Sequence, residues 1–314
     1  MMTQQAGTLS SNPNVAGPQA ESGLWQRFGL ANFSNLIAET GREWLADNAP
    51  RLGAALAFYS VLSAAPLLVI SIAIAGMFVD EATARREILA QSRNMLGEQG
   101  VTAISEMLAN IRHSEAGWWA GLLGIATLLV GASGVFGELQ ASMNGIWNVS
   151  PKPNQTVWTM LRDRFLSFML VLGTGFLLLI LLVVNAGVAA FSQLVTRWLP
   201  GETLVLQLTN VALSLVVTTL LFAFLFRRIP DVKLTFSDVL PGAIVTALLF
   251  SLGKTLLGLY LASAGVGSAY GAAGSLVVLL IWMYYSSQLF LFGAEFTQVY
   301  TKRYGTQREK AVMA

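Results

Sequence analysis

The chain has 314 residues, 54% of them hydrophobic and only 11% charged, with a mean hydropathy of +0.61. Soluble domains carry charge on about 25% of their residues, so most of this chain is suited to a medium other than water. A net charge of +2 is too small a surplus for a nucleic-acid surface; there is no cysteine for a disulfide or thiol nucleophile, and the single histidine, His113, excludes a multi-histidine metal centre.

Residues 1–22, rich in Gly, Ser, Asn, Pro and Gln, have the composition of a disordered tail and lack the basic start and apolar centre of a signal peptide. Over residues 23–50, Trp25, Phe28, Phe33, Leu36 and Trp44 alternate with Arg27, Glu39, Arg42 and Glu43. That pattern predicts an amphipathic helix lying at the membrane interface, with docking to a partner as the alternative. Asp47-Asn48 ahead of Pro50 is a helix-start signal. Gly53 to Val79 then runs without a charge, long enough at roughly 1.5 Å per residue to cross a hydrocarbon layer of about 30 Å. Tyr59, Ser60, Ser63, Pro66 and Ser71 interrupt it. Pro66 has no N–H for the Leu62 carbonyl, which is expected to turn to Ser60, Ser63 or a water, so this helix should face protein or a cavity.

Residues 80–116 hold four arginines and six acids. Ile88, Leu89, Met95 and Leu96, then Val101, Ile104, Met107, Leu108 and Ile111, predict two amphipathic helices on the outer boundary, broken at Gly97–Gly100. His113 reads as a solvated loop residue. The second span, Gly117 to Gly137, opens on Trp118-Trp119 and carries a small-residue face of Gly117, Gly121, Gly124, Gly131, Gly134 and Gly137. It continues as a helix through Glu138 and Asn144 until Pro151 and Pro153 end it. A third span runs from Phe165 to about Ala190, and a fourth from Leu204 to Phe226, stopped by Arg227-Arg228-Ile229-Pro230. The fifth, Val239 to Ala262, is capped by Ser237-Asp238 with Pro241 in its first turn; a glycine-rich turn leads to the sixth, about Ser275 to Val299. The expected fold is an all-α membrane protein: six transmembrane helices within residues 51–303, additional amphipathic interfacial helices, and a cytoplasmic tail over 304–314.

Orientation follows from Lys and Arg on alternate sides. Thirteen fall on the side of the termini and five on the other, four of those in the loop that also holds six acids, while Lys254 lies within a span. Both termini are therefore expected in the cytoplasm. Spans one to three show no visible repeat in spans four to six.

Ionisable groups within spans are costly and are functional candidates by default. Glu138 and Glu295 lie near the cytoplasmic ends of the second and sixth spans, at the depth where Arg51, Arg162 and Arg164 begin the first and third. They read either as ion pairs fixing helix ends or as an inner gate or headgroup site. Lys254, about 22 Å into the fifth span, either snorkels outward past Tyr260 or contacts an anion with Asn185 and Tyr270 at similar height. Gly253-Lys254-Thr255 resembles the end of a phosphate loop, but Leu248 stands where its first glycine belongs and no strand precedes it. On the sixth span Tyr284, Tyr285, Ser286, Ser287 and Gln288 sit near mid-depth, with Tyr284, Gln288 and Glu295 near one face. Together with Tyr59, Ser60 and Ser63 they either bond between helices or line a polar path.

The strings ALAFYSVLSAAPLLV, GVFGELQASMNGIWNV, RRIPDVKLTFSDVLPGAIV and YGAAGSLVVLLIWMYYSSQLFLFGAEF resemble the YihY/BrkB family of bacterial inner-membrane proteins over roughly residues 25–305. The resemblance implies six helices with both ends inside, and associations with virulence, serum resistance or envelope-lipid export. An older ribonuclease BN-like label implies metal ligands or an acid–base pair beside a basic RNA surface, and one loop histidine with no aqueous domain cannot build that. The expectation is therefore a non-enzymatic protein of the bacterial cytoplasmic (inner) membrane, without cofactor, metal or nucleic acid. Membrane lipids are its partners, and it moves or accommodates a lipid-linked or amphipathic molecule. A non-transporting scaffold for envelope assembly is the alternative, and the glycine faces allow an oligomer.

Overall fold

The computed structural model describes residues 30–75, 81–112, 134–149, 203–265 and 269–305. They form seven α-helices: α1 (Leu30–Ala46), α2 (Ala49–Ala75), α3 (Glu81–Arg112), α4 (residues 134–146), α5 (Thr203–Arg228), α6 (Phe236–Ser263) and α7 (Gly274–Tyr304). A 3₁₀ turn at Gly271–Ala273 leads into α7. No strand occurs among the described residues. The third predicted span, most of the second, and the tails 1–22 and 306–314 lie outside them.

α7 is the hub, with α1, α2, α3 and α6 all packed on it, while α5 lies along α6. Stretches 18, 26 and 31 residues long in α5, α6 and α7 are long and apolar enough to cross a membrane. Their outward faces agree. Leu240, Ile244, Leu248, Leu252, Leu256 and Leu259 of α6 recur at near-helical spacing and are all exposed, a surface that belongs against acyl chains rather than water.

One core joins α2, α4, α5, α6 and α7 through Leu56, Met143, Phe226, Ala243 and Leu291, with Phe226 stacked obliquely on Phe290 at 5.2 Å between centroids. A second joins Ile104 and Leu108 of α3 to Leu257, Leu261, Val278 and Trp282. α6 and α7 approach through glycine: a Cβ on Gly242 would collide with Thr297, and one on Gly293 with Thr246. Both threonines are fully buried and bond back to their own helices, Thr246 Oγ1 to the Gly242 carbonyl at 2.6 Å and Thr297 Oγ1 to the Gly293 carbonyl at 2.7 Å. Each helix thus offers a small residue and, one turn on, a hydroxyl with no demand on its partner, which permits close contact in an apolar medium.

Several boundaries differ from expectation for physical reasons. α3 is one continuous helix through Gly97 and Gly100. A glycine costs about 1 kcal/mol in a helix, and packing of α3 on α2, α6 and α7 offsets that. α6 begins earlier, at Phe236 behind the cap residue Thr235, whose N–H donates to the Asp238 carboxylate at 2.9 Å, so Asp238 acts from inside the first turn. The Ser63 hydroxyl goes to the Ser60 carbonyl at 3.1 Å, not to that of Leu62. α1 is docked rather than lying free: Leu36 is buried with Phe296, Val299 and Tyr300 of α7, and Glu39 pairs with Arg303.

Candidate functional site

The N-termini of α2 and α6 and the C-termini of α4, α5 and α7 gather at one end of the bundle. Gln298 of α7 donates to the Ile146 carbonyl at the end of α4, and Thr301 to the Asp238 carbonyl at 3.4 Å. Asn144 clamps the α5–α6 loop, accepting the Asp231 N–H at 2.9 Å and donating to its carboxylate at 3.1 Å. Arg227 donates to the Leu234 carbonyl at 3.1 Å and lies 4.3 Å over the Phe236 ring. The α1–α2 corner closes the same end: Asn48 takes φ of +54°, a conformation asparagine tolerates, and ends α1 while opening α2.

Under that corner sits Glu295. Its side chain is fully buried, and neither carboxylate oxygen has a hydrogen-bond donor. The group facing it is another acid, Asp47, with Glu43 one turn back on α1 and Lys302 as the nearby cation. Burial holds the Asp47 carboxyl above its ordinary value; contact with Glu295 opposes this, Glu43 adds to it, and Lys302 opposes it. Two carboxylates are both acceptors, so the Asp47–Glu295 contact becomes a hydrogen bond only when one of them carries a proton.

Of the other inner-end candidates, Arg51 is exposed and Glu138 half-buried, and neither forms an ion pair with Glu295 among the described residues. Arg162, Arg164 and Asn185 lie outside the described residues. Further along, Gln288 donates weakly to the Ala49 and Pro50 carbonyls at 3.4 Å, tying α7 to the start of α2, while its own Oε1 is buried without a partner. Ser286 Oγ is in the same condition. Tyr285 packs its hydroxyl against Gly253, beside half-exposed Lys254, whereas Tyr284 is exposed on the outer surface. Tyr59 covers Gly134 of α4, so one predicted glycine contact is used within the chain; the Ser63 hydroxyl donates to the Ser60 backbone carbonyl along α2. Sequence reasoning missed Asp47, Glu43 and Lys302 as the groups around Glu295, and Gln298 as the tie to α4. Asp47 was legible only as a helix-start signal, although Gln298 shares the Glu295 face at a spacing of three.

No group of three or more His, Cys, Asp or Glu suited to a metal occurs among the described residues. What the fold and this corner define is a polytopic α-helical membrane protein with a buried carboxyl, Glu295, faced by half-buried Asp47 at one end of its bundle. A family model described as virulence factor BrkB matches residues 40–314, and the chain belongs to that family. A membrane protein of Alkalilimnicola ehrlichii described as UPF0761 is 27% identical over 317 residues, 99% of this chain and 67% of its own. One from Pseudomonas aeruginosa is 27% identical over 274 residues, 83% and 61% respectively, and one from Halorhodospira halophila is 28% identical over 257 residues, 80% and 54%. The chain therefore spans between 54% and 67% of the length of these relatives. No solved structure matches it. Apolar helices and membrane-protein relatives together make this a bacterial membrane protein.

Proposed function

We propose that the protein is a six-span, non-enzymatic component of the bacterial cytoplasmic membrane that moves or accommodates a lipid or other amphipathic envelope molecule along the polar faces of α2 and α7. The observation that carries this is Glu295, a carboxyl with no donor, fully buried in a helix long enough to cross the membrane. Such a group costs several kcal/mol and persists where it serves a path, a relay or a gate. Gln288, two turns away on the same face of the helix with its Oε1 buried and unpartnered, extends the polar line away from it. The end holding Glu295 also carries Arg51, Arg227, Arg228, Lys233, Lys302 and Arg303, which supports placing it, with both chain termini, on the cytoplasmic side.

Purified full-length protein in liposomes with a fluorescent phospholipid in both leaflets tests the proposal. Exchange between leaflets should exceed that of empty liposomes and drop at least tenfold on Glu295→Gln with the protein still monodisperse. If the wild-type protein moves no lipid and a Glu295→Gln strain keeps a normal envelope, the transport proposal fails and the scaffold reading takes its place.

A further inference from the structure

Glu295 and Asp47 come from opposite ends of the chain, and their meeting depends on the seating of one corner. Glu295 sits on α7, where every residue from Gly293 to Thr301 is buried. Asp47 sits in the α1–α2 turn, held over α7 by Phe33 against Phe296, by Leu36, and by the Glu39–Arg303 pair. The charged groups acting on the two carboxyls from the packed elements are Glu43 of α1 and Lys302 of α7, while Arg303 is engaged with Glu39 and Arg51 is exposed. Three acids thus share one nearby lysine. With both facing carboxyls ionised, half-buried Asp47 would set a second anion against fully buried Glu295, and neither Glu295 oxygen would have a donor. One proton removes both penalties, by cancelling a charge and by supplying the hydrogen that joins the side chains.

We propose that Asp47 and Glu295 form a single proton-binding site, and that its occupancy decides whether the α1–α2 corner is seated on α7. The pair holds one proton between its two facing carboxyls. When that proton leaves toward the cytoplasmic end, the like charges repel, and the only piece of this contact not built into a long membrane helix is the corner itself. Asn48, in its left-handed conformation, and the weak Gln288 bonds to Ala49 and Pro50 are where the chain yields. The site deepens the transport reading by naming an ion that its conformational step would answer to. Its test uses no lipid flux, so the two can fail separately.

The chain has no cysteine, so Leu45→Cys, at an exposed position beside the corner, carries a single environment-sensitive fluorophore without background. In full-length protein in nanodiscs, its signal should titrate as one proton, with the protonated-carboxyl stretch in infrared difference spectra disappearing over the same pH range. Glu295→Gln and Asp47→Asn each keep a donor in the contact and should abolish the step, leaving the label in its low-pH state throughout. Glu43→Gln should move the midpoint to lower pH and Lys302→Gln to higher pH, a pair of opposite shifts that a merely structural role would not produce. A step that persists unchanged in both Glu295→Gln and Asp47→Asn overturns the proposal. So does a missing carboxyl band, or a signal set by sodium concentration at constant pH, which would make the occupant a metal cation.

Discussion

The α6–α7 crossing makes the sharpest demand on a single methyl group. Adding a Cβ at Gly293 sets it 2.9 Å from both Cβ and Cγ2 of Thr246, where ordinary carbon contacts begin near 3.4 Å. Thr246 cannot swing away: it is β-branched in a helix, fully buried, and bonded to the Gly242 carbonyl. The helices must separate instead. Overpacking of this kind costs about 1–3 kcal/mol, against about 0.5–1 kcal/mol that alanine gains over glycine in a helix. Gly293→Ala should therefore destabilise by about 1–2 kcal/mol, lowering the unfolding midpoint in detergent by about 2–8 °C. The same change at Gly41 in α1, where an added Cβ has nothing within 4 Å, should raise it. Thr246→Gly should be worth more in the Gly293→Ala background than alone, because it clears the collision. If Gly293→Ala stabilises as Gly41→Ala does, or the double-variant coupling is zero, the close crossing does not exist.

Asn144→Ala removes two bonds to Asp231 and should cost about 1 kcal/mol, read as a lower melting point and faster proteolysis within the α5–α6 loop. Because burial raises the Asp47 carboxyl, the folded chain holds a proton that the unfolded chain releases. Its stabilising contribution is complete below the ordinary value of 3.8 and lost as pH rises through the folded one, so Asp47→Asn should flatten the fall of thermal stability with rising pH across that window. Glu39→Gln breaks a half-exposed ion pair and should change stability by no more than about 0.5 kcal/mol in the same melts. Asn48→Val forces a β-branched residue to φ of +54° and should cost about 1–2 kcal/mol, while Asn48→Gly should be near neutral.

The start of α2, the end of α5, both ends of α6 and the start of α7 were legible to within a few residues because charge, proline and glycine mark where an apolar run must start or stop. Asn48 before Pro50 and Arg227-Arg228 before Pro230 are local signals, and local signals survive folding. Gly97 and Gly100 misled because glycine weakens a helix without ending it, and only the packing partners of α3 decide the outcome. Glu295 could be picked out, since a carboxylate in an apolar span is conspicuous whatever surrounds it. Its partner could not: periodicity assigns a residue to a face, but nothing in a sequence says which of several helices that face meets. An array of acids and arginines was the simplest guess. Asp47, 248 positions away by number, had already been accounted for as a helix start.

The hydroxyls of Thr246, Thr297, Thr301 and Ser287 each bond a carbonyl one turn back on their own helix. Such a helix can enter the bilayer alone, with those hydroxyls already satisfied before any neighbour arrives. Glu295 has no such self-sufficiency. During biogenesis it stands as an unfinished joint until the α1–α2 corner, made well before α7, folds over it.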